Sequence, residues 1–133
     1  MSLSVEIIRL VEARAAGRCE YCRMYQVLQG ATFHVEHILP RSKGGTTEPG
    51  NLAWCCPSCN LHKASRVEGT DPHDGSIVPL YHPRRDAWTE HFRIENYRAI
   101  GLTAVGRATI ELLRFNEPRR LRIRKAEELI GLL

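Results

Sequence analysis

Hydrophobic positions at Ile7, Ile8, Val11 and Ala15 recur at helical spacing and predict an amphipathic helix over residues 5–16, with Ser4 as its N-cap and Gly17 as its stop. The run from Thr32 to Leu39 is β-branched and apolar enough for a strand, and the turn-formers Pro40, Gly44, Gly45, Pro49 and Gly50 follow it. Asn51 to Trp54 predicts a second short strand, and a helix is expected from about Asn60 to Val67. The order in this stretch is therefore β, loop, β, α. Residues 69–79, rich in Asp, Gly and Pro, read as a loop. Trp88, Phe92 and Ile94 then fall on one face of a strand, and Tyr97 to Leu102 forms another. Val105, Ala108, Leu112 and Phe115 mark a helix capped by Thr103, and Asn116 with Pro118 ends it and starts a last helix that stops near Gly131. No internal repeat, low-complexity tract or long linker interrupts the pattern, so the expectation is a single α+β domain over 1–133, with a core at 17–68 and a C-terminal extension at 79–133.

Composition agrees with this. At 133 residues, 43% of them hydrophobic, with a formal net charge of +4, the chain fits one globular domain and is too apolar and too weakly charged for disorder. The longest apolar runs are a few residues, so nothing is expected to span a membrane. The start, MSLSVEIIRLVEARAAG, carries charges inside its apolar stretch and does not resemble a secretion signal, so a cytoplasmic location is expected. Charge is distributed unevenly: residues 1–83 hold eight basic and eight acidic side chains, whereas residues 84–124 hold ten Arg against five acids. Arg119, Arg120, Arg122 and Arg124 are the densest part, and two readings stand: a solvated helix surface, or a face that meets a phosphate backbone.

Cysteine spacing is the first specific chemical signal. Cys19 and Cys22 form one CxxC pair, and Cys56 and Cys59 form another after 33 intervening residues. A two-residue gap lets both sulfurs of a pair reach one ion, and two such pairs in a short chain without an export signal predict a tetrahedral, structural Zn²⁺ site. Four thiolates leave no coordination position for a substrate. Disulfides, a redox pair or an iron site are the alternatives, the first needing an oxidising compartment. Cys55 is left over, either as a small buried apolar residue or as a ligand exchanging with Cys56.

The chemistry lies between the two pairs. Phe33-His34-Val35-Glu36-His37-Ile38-Leu39-Pro40-Arg41-Ser42-Lys43-Gly44-Gly45, then Asn51-Leu52, then Cys56-Pro57-Ser58-Cys59-Asn60-Leu61-His62-Lys63, resembles the HNH endonucleases. Arg18-Cys19-Glu20-Tyr21-Cys22 looks like the opening knuckle of zinc-stapled members, and Pro79 to Asp86, His91-Phe92 and Gly106 to Thr109 are similar to the tails of small stand-alone bacterial members. The resemblance implies a ββα-metal (His-Me finger) core, cleavage of DNA, and one divalent metal at the scissile phosphate, with a 3′ hydroxyl and a 5′ phosphate as products. It also implies that Asn51 braces the loop behind His37; by itself, Asn51 after Pro-Gly is simply a turn residue. Glu36 departs from the commoner Asp by one methylene, and Asn60 stands where the family also uses His.

These residue types suit phosphodiester hydrolysis. An imidazole is mostly neutral near physiological pH, so His37 can take a proton from water. Glu36 offers a hard carboxylate and Asn60 a hard carbonyl, a sparse set that suits Mg²⁺ or Mn²⁺ completed by water and phosphate oxygens. Arg41, Lys43 and Lys63 are the candidate nucleic-acid contacts, with a solvated helix lysine the competing reading of Lys63. His34 shares a strand face with Glu36 and is either a further contact or an ordinary partly buried polar residue. His62, His73, His82 and His91 have no partner at ligand spacing. The expected partner is DNA, and cleavage of both strands from one such site requires either a homodimer or sequential nicking. Two competing classes are a non-catalytic, zinc-stabilised nucleic-acid-binding module and a purely structural or redox zinc ribbon.

Overall fold

The computed structural model describes residues 3–133 and divides the chain into two compact units, 1–66 and 67–133. Both mix helix with two-stranded antiparallel sheet.

The first unit opens with helix α1, Val5–Ala15. Ser4 caps it, its Oγ accepting from the Ile7 amide at 3.2 Å, which satisfies one of the amides that a helix start leaves without a partner. The helix ends one residue earlier than Gly17, because Ala16 itself turns left-handed at φ 53°. Val11 and Ala15 are the buried side of α1. Strands β1, His34–His37, and β2, Leu52–Cys55, pair antiparallel with His34 opposite Cys55 and His37 opposite Leu52. All four residues of β2 are buried, and with Val11, Tyr21, Met24 and Phe33 they form the core of this unit.

Residues 38–51 connect the strands through two 3-10 turns, Arg41–Lys43 and Pro49–Asn51. Gly45 is obligatory there, since a Cβ would fall 1.8 Å from the Leu39 carbonyl oxygen. Helix α2, Pro57–Lys63, starts three residues before the expected Asn60. Cys56 is its cap, the sulfur accepting from the Cys59 amide at 3.4 Å, and Pro57 sits at the first helical position, where its missing N–H costs nothing. The second CxxC pair is therefore the first turn of the helix.

In the second unit the expected loop 69–79 is a hairpin of β3, Glu68–Thr70, and β4, Ile77–Pro79. Asp71 organises its turn, accepting from the His73 amide at 3.0 Å and from Arg107 Nε and Nη2 at 2.9 and 2.8 Å. Trp88 lies in a single helical turn, α3 (Trp88–His91), and not in the strand expected to include it; β5 begins at Phe92 and runs to Glu95. It pairs with β6, Arg98–Gly101, through a two-residue turn at Asn96 and Tyr97, both at positive φ as a tight hairpin requires. Helix α4, Ala104–Leu113, is capped by Thr103 as expected, and α5 runs Pro118–Leu129.

Helix α5 corrects the charge reading. Arg120 and Arg124 are each 1% exposed, with the Arg120 guanidinium 5.7 Å from the centre of the Phe115 ring and Arg124 Nη1 donating to the Tyr97 carbonyl at 2.8 Å. Half of the expected arginine face is thus interior structure, while Arg119 and Arg122 are exposed. Divided at the boundary between the units, the first holds eight basic and five acidic side chains and the second eleven and ten, so most of the excess belongs to the first unit.

The Asp71–Arg107 pair gives the second unit a pH dependence. Arg107 first, and the His73 amide next, hold the Asp71 carboxyl down at about 2. A depressed carboxyl stabilises the fold fully above its unfolded value of roughly 3.9 and loses that contribution as pH falls through 2. Asp71→Asn is expected to be less stable than wild type at pH 7, and the difference between the two should shrink on acidification. Urea unfolding followed by Trp88 emission in a Trp54→Phe background, at pH 7 and pH 2.5, checks this; a constant difference contradicts it.

Candidate active site

The four knuckle cysteines converge. The sulfurs of Cys19, Cys22, Cys56 and Cys59 all lie within 4.8 Å of one another, with Cys22 and Cys56 at 3.9 Å, and all four residues are buried. A tetrahedron with metal–sulfur arms of about 2.3 Å has edges of roughly 3.8 Å, so the set is compatible with zinc. Burial is the largest influence pushing the Cys19 and Cys59 thiols upward, so without a cation these sulfurs hold their protons. Cys55 is buried beside the four, its thiol directed to the Cys56 carbonyl oxygen at 3.5 Å, and is not one of the converging sulfurs.

The first knuckle also supplies Tyr21. Its hydroxyl donates to Glu36 Oε1 at 2.7 Å, while Lys63 Nζ, from α2, donates to Glu36 Oε2 at 2.7 Å and to the Ile38 carbonyl at 3.0 Å. Glu36 and Lys63 are 6% and 1% exposed. Lys63, expected on the helix surface or against a phosphate, is therefore an interior residue that neutralises Glu36. Burial pushes the Glu36 carboxyl up, and Lys63 and then Tyr21 hold it partly back. Each Glu36 oxygen accepts one of these hydrogen bonds and keeps a second acceptor position, so the carboxylate retains coordinating capacity. Asn60 is exposed on α2, one turn before Lys63, and offers an amide oxygen.

His37 points to the opposite face of β1 from Glu36, as adjacent strand residues must. It is half-buried, and its Nε2 lies 3.1 Å from Thr47 Oγ1. Burial, and after it the positive charge of Arg41, lowers the imidazole pKa, which favours the neutral ring. The loop behind it is pinned by Asn51. Its Oδ1 accepts from the Leu39 amide at 2.8 Å, and its Nδ2 donates to the carbonyls of Leu39 and Thr46 at 3.0 and 2.7 Å. Arg14, reaching from α1, donates to the carbonyls of Pro49 and Leu52. Arg41 and Lys43 are exposed in the first turn of this loop, and His34 is exposed at the start of β1.

Sequence reasoning did not find Tyr21, Thr47 or Arg14. Tyr21 carries a usable signal, a phenol between two zinc ligands; Thr47 and Arg14 reach their partners 10 to 38 residues away and have no local pattern. The ion pair has a measurable consequence. Removing one partner of a buried pair strands the other charge, at a cost of about 3–5 kcal/mol. Lys63→Met is expected to destabilise the first unit by that order, and denaturant unfolding of the zinc-loaded variant measures it; a loss below about 1 kcal/mol contradicts the pairing.

Residues 19–66 match the family model described as HNH endonuclease. Over 110 residues the chain is 28% identical to the Septu protein PtuB of Bacillus thuringiensis, an alignment that covers 78% of this chain and 38% of that protein. The chain thus spans about two fifths of that relative's length. No solved structure matches significantly. Among the described residues no helix is long and apolar enough to cross a membrane.

Proposed function

From an HNH endonuclease domain at residues 19–66, we propose that this protein is a metal-dependent DNA endonuclease. In this reading β1, β2 and α2 are its ββα-metal core, His37 is the general base, and Glu36 and Asn60 hold one divalent cation. The observation that carries the reading is the setting of His37: a ring favoured in its neutral form, held by Thr47 in a loop that Asn51 pins. Lys63, which donates to the Glu36 carboxylate, lies three residues after Asn60 on α2.

His37 takes a proton from a water molecule as the oxygen of that water attacks phosphorus. The bond from phosphorus to the 3′ oxygen breaks, leaving a 5′ phosphate, and the departing 3′ oxygen gains a proton from solvent to become a hydroxyl. A bound Mg²⁺ or Mn²⁺ supplies neutralisation of charge at the phosphate and the leaving oxygen. Arg41 and Lys43, exposed beside His37, hold the strand through its phosphates. Asn51 contributes by keeping the loop in place.

One observation favours the second reading, a silent nucleic-acid-binding module: both Glu36 oxygens already accept hydrogen bonds within the protein. A plasmid assay separates the two. Zinc-loaded protein with supercoiled DNA and Mg²⁺ or Mn²⁺ is expected to give relaxed or linear product, and none when EDTA removes the added cation briefly enough to spare the zinc. Binding without cleavage under either cation transfers the assignment to the binding module.

A further inference from the structure

We propose that Thr47 is a positioning residue that holds the Nε2 side of the His37 ring in the loop, so that the base works through Nδ1, with the ring proton on Nε2 and Nδ1 free to accept from water. The proposal rests on His37 as the base and carries that reading down to a single nitrogen. A neutral imidazole has one proton and two nitrogens, and which nitrogen carries the proton is set by the hydrogen bond the other ring position makes. Here Nε2 is 3.1 Å from Thr47 Oγ1, so that nitrogen is taken up by the loop. Water can then reach the ring's lone pair only at Nδ1, and Nδ1 has a lone pair only if the proton sits on Nε2. A threonine hydroxyl can donate or accept, so the contact admits either direction, and it is the base role of His37 at Nδ1 that selects Nε2–H donating to the threonine oxygen.

The threonine is itself held in place. Asn51 Nδ2 donates to the carbonyl of Thr46, the preceding residue, at 2.7 Å, and to the Leu39 carbonyl at 3.0 Å. Leu39 N donates back to Asn51 Oδ1 at 2.8 Å, tying both ends of the segment to one side chain. Arg14 secures the far end through the Pro49 carbonyl at 2.7 Å. Thr47 is half-buried, and its β-branched side chain has few rotamers to choose from. The loop brace thus has a chemical destination: Asn51 sets Thr46, Thr47 follows, and its hydroxyl sets the ring.

The test uses the zinc-loaded 133-residue chain with Thr47→Val, which keeps the shape and removes the hydroxyl, and Thr47→Ser, which keeps the hydroxyl. Nitrogen-15 chemical shifts of the His37 ring, recorded without DNA or added cation at a pH where the ring is neutral, report the tautomer. Wild type and Thr47→Ser are expected to carry the proton on Nε2, and Thr47→Val to show a mixture. Loss of the partner that orients a metal-ligating His through its second nitrogen commonly costs about 10- to 100-fold, and the same order is expected for a base held in the same way. The plasmid kcat of Thr47→Val is expected to fall by that factor with KM unchanged and Thr47→Ser near wild type. A wild-type ring protonated on Nδ1, a Thr47→Val ring with the wild-type tautomer ratio, or equal losses in the two variants would overturn the proposal. If wild type cuts no DNA, the base assignment fails, and the tautomer measurement still decides what Thr47 does to the ring.

Discussion

Stripping zinc from the reduced protein is expected to unfold the first unit. Two four-residue strands and helices of eleven and seven residues enclose a core too small to be secure by burial alone, and the converging cysteines lie inside it. A structural zinc site contributes on the order of 10 kcal/mol of folding free energy, comparable with the whole stability of a domain of this size. Trp54 is the reporter, 2% exposed in β2 and next but one to Cys56. In a Trp88→Phe background its emission should shift to that of an exposed indole when a strong chelator removes the metal under reducing conditions, and should recover on adding zinc. Cys59→Ser should behave like the stripped protein. A buried-indole spectrum after zinc has been measured as absent would show that the four sulfurs are not a folding site.

Replacing His37 is expected to abolish most cleavage and leave the fold. General-base assistance is worth about 10² to 10⁴ in rate, so His37→Ala should lose two to four orders of magnitude at equal zinc content. The side chain is half-buried and makes one polar contact, to Thr47, so Trp54 emission and DNA binding should stay close to wild type. Equal cutting by both proteins would mean that the base is another group or that the activity is a contaminant.

How far the sequence is legible depends on the distance over which each contact is made. Helix α1 and its Ser4 cap, the knuckle spacing and the two short strands are written locally, in periodicity and residue type, and the structure places them within two residues of expectation. The start of α2 is also written locally, since Pro57 after a side chain able to cap is a helix-start signal three residues before the expected Asn60. The hairpin at 68–79 is harder, because strands of three residues show no period and its turn depends on Asp71 meeting Arg107, 36 residues away. Arg120 and Arg124 misled for the same reason: a run of arginines looks solvated until Phe115 and the Tyr97 carbonyl are seen to receive it. In the site, the HNH-like motif supplies residue types in order. That Lys63 is spent on Glu36, and that Thr47 holds His37, follow only from the folded backbone.

The identity of the ends left on cut DNA tests the central claim most directly. A duplex oligonucleotide labelled on either end, incubated with zinc-loaded wild type and Mg²⁺, should yield fragments with a 3′ hydroxyl and a 5′ phosphate, ligatable without further treatment, and none with His37→Ala over the same time. Fragments bearing a 3′ phosphate, or identical product from both proteins, would contradict hydrolysis by water activated at His37.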